Sequence, residues 1–595
     1  MKIKFKPIVL SILFGISATI SIEPFSFPII RWFVLWHLFY ISEELRRNHA
    51  SYKKILWISF LFALSLCIFS FYWVIHLFVE YGGIPLILSI FLFIPYSILL
   101  NSKIPLILIF LSKIKYKYKI FYKYNLISIP LVITIIDIIT PQVFNWYWGN
   151  LVVKNLIFSQ VADIFGIHGI TFLYVFFSYS FYRIFKLLYK NYLIFFLPRF
   201  KKTYGFVLIL FLLIHLYGIV QIHRINEMIK SSQKIRIAMI QPNAPLEKYG
   251  ENKVTIESVE NFMLNEIPPL IDEAFKNSEG KIDLFVFPES GIPYFSTQKD
   301  ALTLRLNAYH PYFEYLIHYI NARYNADVIF NDFYYEQKQN RIVVYNSAPF
   351  YSRRGKREET YHKRKLIAFG EQIPLAEFLD QTGLIQLVPE SVRYSRFEPG
   401  KSFIVMPYQR ENYSNPVKAM DYPFEPIEEL YKTTEIENFF KNKEFKPTGY
   451  FMPLICYEII QPEYVRDFFL SANRSIDFIV NITQDKWYGK TIESYQHFSL
   501  GLVRAIELRR SIVRSTNSGV STAIDPTGSY IKPIYGNILT GQETKEVQVV
   551  DLPIIKNQNT LYSYLGNSWL YGLIILFLLL NLFKKRLLKK SLGFY

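Results

Sequence analysis

The chain has 595 residues, 51% of them hydrophobic and 18% aromatic, with a formal net charge of +18. So apolar a composition excludes a disordered chain, because it buries enough surface to offset chain entropy. Two cysteines, Cys67 and Cys456, exclude a disulfide scaffold.

The charge is unevenly placed, and that argues against a nucleic-acid footprint. Residues 1–223 carry 21 Lys/Arg and 6 Asp/Glu, and residues 567–595 carry 5 Lys/Arg and no acid. The middle, 224–566, is nearly balanced, with 40 basic and 42 acidic side chains. The excess positive charge therefore belongs to the apolar flanks.

Apolar stretches run over 8–22, 29–41, 55–78, 84–100, 124–140, 167–185, 204–222 and 569–583. A helix needs about 20 apolar residues to cross the hydrocarbon core, so several of these are short. The second is the weakest, with Arg31 near its start. Basic residues crowd alternate gaps: Lys2, Lys4 and Lys6; Arg46 to Lys54; Lys103 to Lys123; Arg183 to Lys202; and Lys584 to Lys590. The intervening gaps hold one basic residue, Lys154. That alternation predicts about eight transmembrane helices with both termini cytoplasmic and 224–566 on the far side. The Lys-rich start is read as a retained anchor rather than a cleaved leader. Trp146 and Trp148 are expected at headgroup level, and Asp137 and Asp163 as structural acids.

The middle segment alternates strand and helix signals. Lys234–Ile240, Asp283–Phe287, Ala326–Phe330, Ile342–Asn346, Tyr450–Ile455 and Ile476–Asn481 read as strands. Thr255–Lys276, Pro311–Tyr324 and Glu463–Ser471 read as helices. Together they predict a layered α/β domain.

Three segments carry residues that could do chemistry. Glu289 follows a short buried strand, and strand ends are where open α/β sheets collect active sites. Alone, such an acid is more often a solvated loop residue. Lys363 lies in a segment of mixed ionisable groups, Tyr361–Glu371, which by itself reads as a basic surface strand. Cys456 ends an apolar strand ahead of a helix, whose N-terminus would favour thiolate. A buried inert thiol is the competing reading. The other cysteine lies in the third apolar stretch, so Cys456 has no disulfide partner, and a lone thiol in an oxidising compartment is a liability unless used. No His/Cys cluster with metal-ligand spacing stands out.

Glu, Lys and Cys in this chain order, in FPES, YHK and CYE contexts, resemble the carbon–nitrogen hydrolase (nitrilase) superfamily. The membrane wrapping is similar to that of the apolipoprotein N-acyltransferase family of bacterial inner membranes. The likeness runs through Pro24–Pro28, Phe144–Gly169, Ile240–Asn243, Lys365–Pro374, Asn481–Gly489, Gln496–Arg510, Ser515–Gly528 and Thr560–Asn567. It implies a membrane domain over 1–223 with seven transmembrane helices, a periplasmic nitrilase-like αββα catalytic domain over 224–566, and a final helix with a basic cytoplasmic tail over 567–595. It further implies transfer of an acyl chain from a phospholipid to the α-amine of a diacylglyceryl-cysteine on an apolipoprotein, through a Cys thioester and by ping-pong kinetics.

On this resemblance Cys456 is the nucleophile, Glu289 the general base and Lys363 the stabiliser of thiolate and oxyanion, aided by a backbone N–H near Tyr457. Glu371 positions the Lys or the oxyanion region, and Tyr457 and Glu458 support the Cys strand and the substrate loop. No cofactor or metal is required, and a monomer is the family default. Three positions depart from the family pattern: Lys365 stands where His is usual, Ala368 where Pro is usual, and Tyr249 is the nearest aromatic to an expected Trp. A polar stretch over about 408–447 is longer than usual. Competing readings are a membrane-anchored amidase, which would hardly need eight spans, and a non-catalytic scaffold, which the intact Glu, Lys and Cys argue against. A transporter leaves the large middle domain unexplained.

Overall fold

A computed structural model describes residues 5–579, apart from 192, 194–196, 247–253, 294, 300–308, 339–340, 369, 374–375, 388–396, 411–439, 441–443 and 557. Tyr249, most of the 408–447 stretch and the basic tail after 579 lie outside the described residues.

The first part of the chain is helical. Among the described residues, three helices are long and apolar enough to cross a membrane: Tyr52–Ser70, Ala162–Lys190 and Phe200–Ser231. Leu86–Leu100 and Lys103–Lys117 make a further pair bent by 53°, and Lys6–Ser21, Asn125–Ile139 and Ser568–Leu579 are shorter apolar helices. Length and composition thus support three spans, or four with the bent pair, where the apolar stretches were counted as eight.

One charge is not where the loop reading puts it. Lys103, counted among the basic residues of a connecting gap, begins a helix and is fully buried. Its Nζ donates to Asp137 Oδ1 and to the Trp146 carbonyl, both at 2.7 Å, and lies 3.3 Å from the centroid of the Trp146 ring. The physical reason is local. Lys103-Ile-Pro-Leu-Ile-Leu-Ile has proline in its first turn, where no N–H is needed, followed by an apolar run. Pairing then offsets the cost of burying the ammonium group.

From Gln233 the chain forms two sheets. The first holds β1 (Gln233–Gln241), β2 (Leu284–Val286), β3 (Asp327–Ile329), β4 (Asp332–Lys338), β5 (Arg341–Ser352), β6 (Lys356–His362) and β12 (Glu546–Ile554). Its order is β12-β1-β2-β3-β5-β4, with β6 also on β5. The second holds β7 (Met406–Tyr408), β8 (Gly449–Ile455), β9 (Ile476–Thr483), β10 (Ser511–Thr516) and β11 (Thr522–Ile524), in the order β11-β10-β9-β8-β7.

The sheets pack face to face with helices outside, an αββα sandwich. Alternation along the strands divides the two faces. Leu284 and Val286 of β2 join the core shared with Phe451, Val480 and Val513 of the second sheet. Phe285 between them joins the other core, under the helices Ile256–Asn265, Ile267–Lys276 and Pro311–Arg323. The first two of these were expected as one helix. Glu266 interrupts it, and Pro268 and Pro269 restart it at positions that need no N–H donor. Helices Pro462–Ser471 and Glu493–Leu508 cover the second sheet, and β9 between them is buried along its whole length.

The helical and α/β parts meet along a buried polar seam. Arg509 donates to Asp163 at 2.6 Å and to Gln160 at 2.7 Å, the Ile167 N–H donates to Glu507 at 2.7 Å, and Gln496 Nε2 donates to the Ser70 carbonyl at 2.8 Å. Gly166, at φ +64° inside its helix, lets Tyr562 pack against the backbone, since a Cβ there would lie 2.3 Å from the Tyr562 ring.

Candidate active site

Parallel pairing aligns the C-terminal ends of β2 and β3 in one sheet and of β8, β9 and β10 in the other. The candidate residues follow these ends and that of β6.

Cys456 directly follows β8 and opens a 3-10 turn, Cys456–Ile460. Its φ is +51°, a left-handed conformation that costs a non-glycine residue about 1–2 kcal/mol. The surroundings hold it there. The Ile455 N–H donates to Glu458 Oε2 at 2.9 Å, and Asn481 Nδ2 donates to the Cys456 carbonyl at 3.2 Å. The thiol is almost wholly buried. Burial, and next the charge of Glu289, push its pKa well above the ordinary thiol value, with Lys363 opposing them. The expected thiolate-favouring helix end is not its environment: the α-helix begins only at Pro462.

Glu289 follows β2 and is buried. Its Oε1 accepts from Lys363 Nζ at 3.1 Å and from Asn346 Nδ2 at 2.8 Å, while Oε2 accepts from the Gln484 N–H at 3.1 Å. Burial raises its pKa, and the Lys363 charge and the Asn346 bond counter only part of that rise. Lys363 follows β6, fully buried, and donates a second bond to Glu371 Oε1 at 2.7 Å. Burial disfavours its charge, but Glu289 and Glu371 together raise its pKa above the usual lysine value. The set is therefore a neutral thiol, a carboxyl that holds its proton more tightly than an ordinary glutamate, and a fixed cation. Glu371 is held in turn by the Ile367 N–H at 2.9 Å.

Glu458 joins the two sheets at this point. One carboxylate oxygen accepts from Tyr361 Oη at 2.8 Å and from the N–H groups of Arg364 and Lys365 at 2.8 and 3.1 Å, while the other accepts from Ile455. The loop after Lys363 and the turn at Cys456 thus hang on one buried side chain. Gly400 packs on the same loop: a Cβ there would lie 2.2 Å from the His362 carbonyl. Tyr457 turns to the helical part, donating to Asn145 Oδ1 at 2.9 Å.

Glu289, Lys363, Cys456 and Glu371 therefore come together, with Glu458 and Tyr457 beside them. Asn346 was missed: its one amide nitrogen donates to both Glu289 and Glu371, and Asn331 Nδ2 fixes its oxygen at 2.7 Å. The available signal was an asparagine at the end of a strand run, where that residue is depleted. Also missed was a buried group behind the Cys turn. Asp485 accepts from Arg514 at 2.8 Å and bonds His497 Nδ1 at 3.0 Å, and the ligand atoms of Asp485, Glu493 and His497 lie within 4.8 Å of one another. Burial would raise the Asp485 carboxyl, but Arg514 and His497 hold it below the usual carboxylate range. With a guanidinium on Asp485, the cluster fits an ion pair with a neutral imidazole better than a cation site.

The comparisons with known proteins follow the same division. A family model described as the apolipoprotein N-acyltransferase N-terminal domain matches residues 14–180, and one described as carbon-nitrogen hydrolase matches 236–558. Apolipoprotein N-acyltransferase 2 of Leptospira interrogans serogroup Icterohaemorrhagiae serovar copenhageni (strain Fiocruz L1-130) is 32% identical over 582 residues, 93% of this chain and 92% of that protein. Apolipoprotein N-acyltransferase 1 of the same species (serovar Lai, strain 56601) is 28% identical over 97% of this chain and 96% of its own length. The crystal structure of Saccharomyces cerevisiae Nit3, a member of branch 10 of the nitrilase superfamily, is matched over 56% of this chain and 93% of that chain, at 15% identity and a TM-score of 0.34. Matched at both family models and along nearly all of its length, the chain belongs to the apolipoprotein N-acyltransferase family and carries a carbon–nitrogen hydrolase domain.

Proposed function

We propose that this chain is a bacterial membrane acyltransferase that moves an acyl chain from a phospholipid to the α-amine of an apolipoprotein's N-terminal diacylglyceryl-cysteine. The observation that carries this reading is the convergence of Glu289, Lys363 and Cys456, buried beside the seam with the apolar helices. Cys456 attacks the lipid ester while Glu289 takes the thiol proton, so that no free thiolate accumulates in a site whose burial disfavours it. Lys363 stays protonated and offsets the negative charge that develops on sulfur and then on the ester oxygen. Collapse of the tetrahedral intermediate leaves a thioester on Cys456 and releases lysophospholipid, whose alkoxide takes the proton from Glu289. The acceptor amine then attacks the thioester, Glu289 removes the amine proton, and the thiol is regenerated. Two half-reactions sharing one acyl-enzyme give ping-pong kinetics.

The domain reading goes with it: a membrane domain over 1–223, whose last helix runs on to Ser231, a catalytic domain over 224–566 facing the periplasm, and a last span within 567–595 that returns the chain to the cytoplasm. We keep eight spans but assign the fourth to Lys103–Lys117. Its first residue meets Asp137 near the end of Asn125–Ile139, and Phe110–Ile114, further along it, lies against Trp36–Arg47. Leu86–Leu100 then becomes an apolar arm leading into that span.

Purified enzyme in phospholipid micelles without acceptor, followed by intact mass spectrometry, tests the proposal. One hydroxylamine-labile acyl adduct, absent in Cys456→Ala, is expected. Wild type without an adduct from any phospholipid overturns it.

A further inference from the structure

Beside the Cys456 turn lies an open cavity of about 600 Å³ whose lining includes Asn145, Arg364, Lys365, Phe403, Glu463 and Asp467. We propose that it binds the phosphate group of the phospholipid donor, through Arg364 and Lys365, and thereby distinguishes donor from acceptor. This deepens the acyl-transfer reading and rests on it.

The two cations are unusually placed. They directly follow Lys363, and their main-chain N–H groups are pinned to Glu458, so their backbone is as fixed as the catalytic site itself. The Arg364 guanidinium lies 3.6 Å from the Phe403 ring centroid and donates through Nε to the Gly400 carbonyl at 3.3 Å. Its Nη1 is buried with no hydrogen-bond partner. Lys365 is exposed on the same cavity, with its Nζ 5.7 Å from the Tyr464 ring centroid. Among the described residues neither cation has a carboxylate partner. The acids that share the lining are engaged elsewhere: Glu463 with His168 at 2.7 Å and Asn567 at 3.1 Å, and Asp467 with Arg466 at 3.5 Å. A guanidinium with an unmatched nitrogen and no carboxylate partner lines the cavity, so an anion drawn into it meets a cation that the protein leaves unneutralised.

The ligand chemistry follows from position and charge. Arginine presents a rigid fork of donors that matches phosphate, and lysine adds a permanent point charge. The family's usual histidine at position 365 would be largely neutral at pH 7. Asn145, also in the lining, accepts from Tyr457, the residue after Cys456. An anion held here therefore sits next to the acylation site. In a phospholipid, the glycerol backbone alone separates the phosphodiester from the ester that must reach the thiol. The diacylglyceryl acceptor carries no phosphate. The cavity thus favours the donor in the first half-reaction and gives the acceptor nothing comparable in the second.

The test uses full-length protein and separates the half-reactions. Acyl-enzyme formation is timed with phosphatidylethanolamine and with the neutral p-nitrophenyl palmitate, and discharge of preformed acyl-enzyme is timed with a diacylglyceryl peptide. In Arg364→Gln/Lys365→Gln we expect the rate with phosphatidylethanolamine to fall about tenfold to a hundredfold relative to both other rates, the size of one lost charged hydrogen bond. Equal loss in all three reactions, or no change in any, overturns the proposal. Binding of fluorescent phosphatidylethanolamine to Cys456→Ala, with and without the two substitutions, is read in parallel. If wild type never acylates but this binding still depends on Arg364 and Lys365, the transfer reading falls and the phosphate site stands. Glycerophosphoethanolamine should displace the lipid better than inorganic phosphate does. Equal displacement by inorganic phosphate would reassign the site to the free anion and overturn the lipid assignment.

Discussion

Glu289 and Lys363, 74 residues apart in the chain, meet at 3.1 Å in a buried site where neither is at its ordinary proton affinity. In the proposed mechanism Glu289 is the base and must be ionised to work, so thioester formation should fail as pH falls through its pKa. Burial places that limb above the ordinary glutamate value of about 4.3. Asn346 donates to the ionised carboxylate and so holds the limb down. Asn346→Ala should move it to higher pH, while Glu289→Gln should remove it and slow acylation by about 10²–10⁴-fold. Adduct formation timed across pH by mass spectrometry decides. An unshifted limb in Asn346→Ala would show that another group sets it.

Glu458 binds the Cys456 turn and the loop after Lys363, which in the proposed mechanism makes it a positioning residue. Its loss leaves the N–H groups of Ile455, Arg364 and Lys365 and the Tyr361 hydroxyl without their acceptor, at about 1–3 kcal/mol for each group left buried and unpaired. Glu458→Ala should therefore lower both the melting temperature and the acylation rate. The telling readout is the pH limb. Lys363 should sit less firmly against Glu289, so the limb moves upward, a change that destabilisation alone would not produce.

Much of this site is legible in the sequence. Glu289 and Cys456 each follow a strand marked by its own apolar run; the strand observed at Gln233–Gln241 extends the expected one by a residue at each end, and that at Ile476–Thr483 by two at its C-terminal end. What stayed hidden depends on contacts between distant segments. Asn346 looks like an ordinary end to a β run until the fold places it between two glutamates. Lys103 looks like a loop cation because periodicity carries no information about the Asp137 it will meet. The two-residue break at 101–102 hid a helix for the same reason, since a basic start counted against it. The seam residues Gln160, Asp163 and Glu507 were visible as motifs, but their partners were not.

The Lys103–Asp137 pair makes its own prediction. Both side chains are fully buried, so removing one leaves the other's charge uncompensated, at a cost of about 3–5 kcal/mol. Lys103→Met and Asp137→Leu should each lower thermal stability in detergent steeply. The double variant should recover most of that loss, with the Trp148 N–H that also donates to Asp137 accounting for the remainder. Strictly additive losses would mean that the two groups do not depend on each other.

Glu493 offers the last test. Its carboxyl is wholly buried with neither oxygen hydrogen-bonded, facing Asp485, which Arg514 and His497 already engage. Burial, then the Asp485 charge, raise its pKa well above the ordinary value, with Arg514 opposing. A carboxyl whose folded pKa is raised binds its proton more tightly in the folded than in the unfolded chain. Its contribution is fully present below the unfolded pKa of about 4.3 and is lost as pH rises through the folded one. Glu493→Gln keeps the shape and removes the titration. Its stability relative to wild type should therefore grow with pH from about 5 upward, by up to about 1.4 kcal/mol per pH unit until Glu493 ionises in the folded protein. Melting temperatures of the two proteins, measured in the same detergent from pH 5 to 8, give the comparison. A difference that stays constant over that range would mean Glu493 is already ionised in the fold, and that Arg514 or His497 turns to pair with it.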